Sequence, residues 1–99
     1  MVIAGASAAE MALLKNILSE QLSGYAVFAF GSRVSGGFRT NSDLDLLIEG
    51  SGPVPLGVLG ELRERLEQSD LSFRVDLLDA SRLSPEILKS IKNQKIVSL

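Results

Sequence analysis

The stretch from Phe30 to Glu49 reads FGSRVSGGFRTNSDLDLLIE, and its two ends decide the fold. At the right-hand end, Asp43 and Asp45 stand two apart in a run that otherwise reads Leu44, Leu46, Leu47, Ile48. Side chains two apart in a β-strand share a face. A strand over Asp43 to Glu49 therefore turns Leu44 and Leu46 to one side and two carboxylates to the other. Two ionised carboxylates this close repel, and they need a cation, a shared proton or full solvation. At the left-hand end, Tyr25 to Phe30 is a short β-rich run that stops at Gly31-Ser32. Arg33 to Ser42 reads as loop, with Gly36, Gly37, Asn41 and two serines. If the two strands are antiparallel, the Gly31-Ser32 bend comes beside Asp43. Gly31 would admit a phosphate close to the backbone. Ser32 would add a hydroxyl, and the N–H groups that follow would form an anion-binding nest. Arg33 or Arg39 would neutralise phosphate charge.

Outward from this centre the pattern is that of a layered domain. Ser7 and Glu10 have capping-box spacing, and Met11, Leu14, Ile17, Leu18 and Leu22 recur at helical intervals up to Gly24. Gly50, Ser51, Gly52, Pro53 and Pro55 break the chain after the second strand. Leu56 to Gln68 reads as a helix with Leu59, Leu62 and Leu66 on its buried side. Leu71 to Leu78 reads as a third strand, with Phe73, Val75 and Leu77 on one face and Arg74, Asp76 and Leu78 on the other. Ser84-Pro85 is a helix start, Ile87, Leu88 and Ile91 give that helix an apolar side, and Ile96 to Leu99 reads as a last short strand. The order α-β-β-α-β-α-β predicts an α/β (α+β) domain spanning 1–99, with a small mixed sheet of about three to four strands covered by helices. If the second and third strands are neighbours, Asp43, Asp45 and Asp76 converge into a cradle for two metal ions, which suits phosphoryl displacement. Mg²⁺ fits such oxygen donors.

Composition removes many other chemistries. The chain holds 99 residues, 45% of them apolar and 22% charged, with no Cys and no His. A Ser-His-Asp triad, a Cys nucleophile, a thiolate or imidazole zinc site and a histidine proton shuttle are all excluded. Catalysis would rest on carboxylates, hydroxyls, Lys, Arg and bound metal. The net charge is −2 and the pI about 5.0, which argues against a long nucleic acid as partner. Met1 to Ala9 lacks the basic region and apolar core of a secretion signal, and no apolar run approaches the roughly 20 residues of a spanning helix. A soluble cytoplasmic protein without membrane contact is expected. Two further motifs fail on inspection. Gly31 and Gly36 have P-loop spacing, but Gly37-Phe38 stands where Lys and Ser/Thr are required. Asn41, Asp43 and Asp45 imitate a calcium loop, but Leu46 takes its glycine position.

Gly31-Ser32, ten residues, then Asp43-Leu44-Asp45 resembles the G-S-x10-D-x-D signature of the DNA polymerase β-like nucleotidyltransferases. Phe30-Gly31-Ser32-Arg33 through Gly36, with Ser42-Asp43-Leu44-Asp45-Leu46, is similar to the minimal nucleotidyltransferase branch, which includes antitoxins paired with HEPN toxins. Phe73-Arg74-Val75-Asp76 resembles the later strand that carries the family's third carboxylate. The resemblance spans roughly Tyr25 to Leu99, with a helix in front as in the family. One departure is Ser35, where many relatives carry a basic residue.

The resemblance implies the polymerase β-like fold, Mg²⁺, and transfer of NMP from a nucleoside triphosphate to a hydroxyl with loss of pyrophosphate. For antitoxin members it implies transfer of AMP from ATP to a tyrosine of the cognate HEPN toxin, held in a hetero-oligomer. Carried over, Asp43 and Asp45 hold metal and triphosphate, and Asp76 completes a second metal site and helps to deprotonate the incoming hydroxyl. Gly31 and Ser32 grip the phosphates, and Arg33 and Ser42 also fall in the nucleotide-binding stretch. With no further domain in the chain, the acceptor-binding surface is expected from the partner. Two other readings stand beside this one. In one, the domain is a non-catalytic module that neutralises a toxin by contact, through Val54, Leu56 and Val58 or through Ile96-Val97-Ser98-Leu99. Alternatively, it transfers a nucleotide to a small molecule.

Overall fold

The first helix starts where the chain can satisfy its own open N–H groups. In a computed structural model that describes residues 3–99, the Ser7 hydroxyl accepts from the Glu10 N–H and the Glu10 carboxylate accepts from the Ser7 N–H, both at 3.1 Å. Helix α1 (Ala8–Gln21) follows from this capping box. Strand β1 (Ala26–Phe30) leads into a one-turn helix α2 (Ser32–Ser35), and strand β2 (Leu44–Glu49) follows the glycine-rich loop. Helix α3 (Leu56–Glu67) crosses back to strand β3 (Val75–Asp79). A 3-10 turn at Ala80–Arg82, helix α4 (Pro85–Lys92) and the two-residue strand β4 (Val97–Ser98) complete the order.

These strands form a mixed sheet in the order β3-β2-β1-β4. β1 runs antiparallel to β2 and to β4, whereas β2 and β3 are parallel. The parallel pair requires a crossover, and α3 supplies it. The alternation in β2 sorts the two faces. Leu44, Leu46 and Ile48 are fully buried against Leu14 and Leu18 of α1 and Leu59, Leu62 and Leu66 of α3. Leu47 points the opposite way and packs with Phe30 and Ile91 of α4. Each fully buried Leu contributes about 1.5–3 kcal/mol relative to exposure, so β2 cannot slip by one residue without turning its leucines to the wrong side. Asp45 thereby lies on the α4 side of the sheet, away from the larger core.

Three sequence expectations need correction. The loop after Gly31 contains helix α2, whose four residues are too few to show a helical period. The third strand begins at Val75 instead of Leu71, because the Ser72 N–H and hydroxyl both donate to the Glu10 carboxylate at 2.7 Å and hold this segment at the start of α1. Val54, expected at a contact surface, is fully buried in the main core. It is pinned there by its N–H, which donates to Asp79 at 2.8 Å. Of its neighbours, Val58 packs on the core and Leu56 is 70% exposed. Ile96 and Leu99 pack against the two apolar clusters. No helix among the described residues is long and apolar enough to cross a membrane.

The Glu10 contacts carry a pH signature. Hydrogen bonds from Ser72, with further ones from Ser7, lower its pKa from 4.5 to about 2. Between these values the unfolded chain binds a proton that the folded chain refuses. The contribution of Glu10 is therefore complete above about pH 4.5 and is lost as pH falls towards 2. Glu10→Gln is expected to melt below the parent at pH 6, with the gap narrowing between pH 4.5 and pH 2. Thermal unfolding followed by circular dichroism checks this; a gap that does not change with pH would contradict it.

Candidate active site

The antiparallel register places Phe30 opposite Asp45, so the residue just beyond β1 falls against the Asp45 side chain. That residue is Gly31, at φ +86°, a backbone conformation that side-chain-bearing residues avoid. A Cβ on Gly31 would collide with the Asp45 carboxylate Oδ2. Glycine therefore meets two requirements at once: the sharp turn from β1 into α2, and room for a carboxylate against the backbone. On the other side of β2, Asp45 is the register partner of Asp76 on β3. Aligned partners in a parallel pair face the same way, so the two carboxylates share one face. Asp43 lies one residue before β2 and two before Asp45.

The electrostatics agree with this placement. Asp45 is half-buried, while Asp43 and Asp76 are exposed. Burial, then the charge of Asp76, then the charge of Asp43 push the Asp45 carboxyl above the usual carboxylate range. Each of these effects disfavours the ionised form. Among the described residues none of the three forms an ion pair. Arg82, a conceivable partner for Asp76, is instead bound to the buried Asp79. The cluster is open: no three carboxylates among the described residues are gathered closely enough to grasp an ion unaided. The ready-made three-ligand cradle expected from the strand pattern is thus absent as a closed cage. The donor chemistry still suits Mg²⁺. It is oxygen-only, it is anionic, and Mg²⁺ usually binds through one or two carboxylates with substrate phosphates completing its shell.

The remaining candidates divide. Ser32 is half-buried at the first position of α2, and Gly31 provides no side chain to cap the open N–H groups there. Arg33, expected to bind nucleotide, points inward instead. It is 3% exposed, and its guanidinium donates to the carbonyls of Ser42 (2.8 Å), Ala4 (2.8 Å) and Thr40 (3.3 Å). The rings of Phe73 and Phe38 cover it, with centroids at 4.7 and 5.2 Å. With its donors committed to backbone, Arg33 is not placed to receive phosphate. Ser42 braces the loop: its hydroxyl accepts from the Arg39 N–H at 2.8 Å, which still leaves its own proton to donate. Arg39 is the exposed cation of this loop. Sequence reasoning missed the inward turn of Arg33 and the structural carboxylate Asp79. The Phe38 and Phe73 that flank Arg33 gave no local signal, being five and forty residues away along the chain.

A small mixed sheet that brings a Gly-Ser turn against one aspartate and a second aspartate into register beside it defines the polymerase β-like nucleotidyltransferase fold. Residues 11–98 match the nucleotidyltransferase domain family, and the chain belongs to that family. It is 40% identical over 88 residues to the "Probable protein adenylyltransferase MntA" of Haemophilus influenzae, covering 89% of this chain and 77% of that protein. A solved structure described as a minimal nucleotidyltransferase is similar at TM-score 0.67 and 28% identity, over 90% of this chain and 89% of the other. The crystal structure of a toxin-antitoxin with AMP-PNP is similar in fold at TM-score 0.72 and 23% identity, over 86% of this chain and 68% of the other.

The charge ordering makes a test of this geometry. In a carboxyl ¹³C titration without divalent cations, Asp45 is expected to protonate at higher pH than an ordinary Asp. Asp76→Asn should lower its midpoint more than Asp43→Asn does. An Asp45 midpoint unmoved by either substitution would show that the three side chains are not neighbours.

Proposed function

We propose that the chain transfers AMP from ATP to a protein hydroxyl, a tyrosine of a cognate HEPN toxin, in a Mg²⁺-dependent reaction, and that this modification is how it acts as an antitoxin. The observation that carries the reading is the packing of the Asp45 carboxylate against Gly31 with Asp76 in register beside it. This arrangement sets a phosphate-accepting turn and three acidic groups along one sheet face. Support also comes from the family and from the relative named as a protein adenylyltransferase.

In this reading Gly31 and Ser32 hold the triphosphate through backbone N–H groups and the Ser32 hydroxyl. Asp43 and Asp45 hold Mg²⁺, with Asp76 contributing to a second ion. The metal, when bound, neutralises triphosphate charge and polarises the α-phosphoryl group. The acceptor oxygen forms a bond to the α-phosphorus, the bond from that phosphorus to the β-phosphate oxygen breaks, and pyrophosphate leaves. The acceptor proton passes to Asp76, which is exposed and lies on the strand beside Asp45. Little covalent chemistry falls to the protein, so positioning and electrostatic stabilisation dominate. A cleft of about 520 Å³ beside β3, lined in part by Arg63, Arg74 and Asp76, reaches the same carboxylate and gives an acceptor segment a way in.

A second reading has its own observation. Leu56 and Ile87 are large apolar side chains left 70% and 52% exposed, which suits neutralisation of a toxin by contact alone. Labelled ATP separates the two. With [α-³²P]ATP, Mg²⁺ and the cognate toxin, label is expected on the toxin. Asp43→Asn or Asp45→Asn should reduce it by about a hundredfold or more while the circular dichroism spectrum stays native. Inhibition of the toxin without label, or undiminished label from either variant, would reject the transfer reaction.

A further inference from the structure

Arg33 is the residue that the sequence reading and the structure assign to different tasks. Its carbonyl accepts from the Ala4 N–H at 2.8 Å, and its own Nη1 returns a bond to the Ala4 carbonyl at 2.8 Å. The N-terminal segment is thus fastened at both donor and acceptor. Nε reaches the Ser42 carbonyl, one residue before Asp43, and Nη2 reaches the Thr40 carbonyl in the same loop. Phe73, which covers one side of the guanidinium, lies three residues before Asp76. Arg33 itself follows Ser32. One buried cation therefore adjoins Ser32 and Asp43 by one residue each and meets the third arm at Phe73, three residues before Asp76.

A neutral side chain could fill the space but could not satisfy three carbonyls, and a lysine has no planar fork to reach them in separate directions. Phe38 closes the other side of the guanidinium from the glycine-rich loop. Gly36 and Gly37 of that loop hold positive φ, and among the described residues Ser42 bonds only within its own turn and to Arg33. Apart from Arg33, the loop's polar ties are short-range. Where β2 begins, the Leu44 N–H donates to the Arg74 carbonyl at 2.8 Å, so the entry to β2 is also the entry to β3.

We propose that Arg33 is a positioning residue: its guanidinium, buried between Phe38 and Phe73, sets the entries of β2 and β3 and so fixes the separation of Asp43 and Asp76 from the Gly31-Ser32 turn. The brace itself is a property of the fold. Its consequence for transfer rests on the function proposed above.

The test uses the full chain with Arg33→Lys, Arg33→Ala as a second variant, and Leu22→Ala as a control that weakens the core beside Tyr25 and Ala26, at the end of β1 opposite Gly31. All are assayed well below their melting temperatures. Hydrogen exchange is read peptide by peptide, and AMP transfer to the toxin is measured at saturating ATP. In both Arg33 variants, exchange should rise by about tenfold or more across residues 38–44 while α3 keeps its protection. Transfer should fall by about 10- to 100-fold in kcat with a smaller change in KM. Leu22→Ala should speed exchange broadly and leave kcat within about twofold. Unchanged local exchange in Arg33→Lys, or a kcat loss no larger than that of the control, would overturn the brace. A wild-type chain that transfers no label, with the local exchange effect present, would sustain the brace and remove the proposed function instead.

Discussion

The structure turns on one contact, the Asp45 carboxylate lying against the backbone of Gly31. Each partner makes the other necessary. Asp45 sits in a strand whose even-numbered neighbours Leu44, Leu46 and Ile48 are fully buried, so its side must be the opposite one. Gly31 ends the adjacent antiparallel strand at positive φ, where any side chain would displace the carboxylate. A half-buried acid with two further acids in its field is an unfavourable arrangement in isolation. The leucines of β2 hold it in place, because a slip of one residue would bring Leu44 and Leu46 out of the core.

The two sheet faces consequently do different work. One face, with α1 and α3, holds most of the buried apolar side chains. The other carries a smaller cluster of Phe30, Leu47 and Ile91 under α4, and beyond it the acidic end formed by Asp43, Asp45 and Asp76. Other charged groups are assigned to structure. Asp79 caps the 3-10 turn through the Ser81 N–H, accepts from Val54 and binds Arg82. Arg33 is buried on backbone carbonyls. The acidic trio has no such partner among the described residues.

Much of this was legible in the sequence wherever the cause is local. The capping box at Ser7 and Glu10, the Pro85 helix start, the leucine alternation of β2 and the two-residue spacing of Asp43 and Asp45 all act within a few residues. The antiparallel approach of Gly31 to the β2 entry and the pairing of β2 with β3 stood only as conditions in the sequence, and the sheet meets both. What escaped depends on distant partners. Ser72 leaves the strand because Glu10, 62 positions away, accepts from it. Arg33 turns inward because Ala4 and Phe73 come to it from opposite ends of the chain. The same residue in the same motif would serve equally as a phosphate ligand on local grounds, and only the packed environment separates the two roles.

The proposed transfer requires the carboxylate-lined edge to receive a metal-bound triphosphate. Anomalous diffraction from crystals grown with Mn²⁺ and a non-hydrolysable ATP analogue tests this most directly. The account predicts a peak bonded to oxygens of Asp43 and Asp45, with the analogue's phosphates beside the Gly31-Ser32 turn. A fully occupied analogue bound elsewhere, or Mn²⁺ whose protein ligands exclude both aspartates, would contradict it.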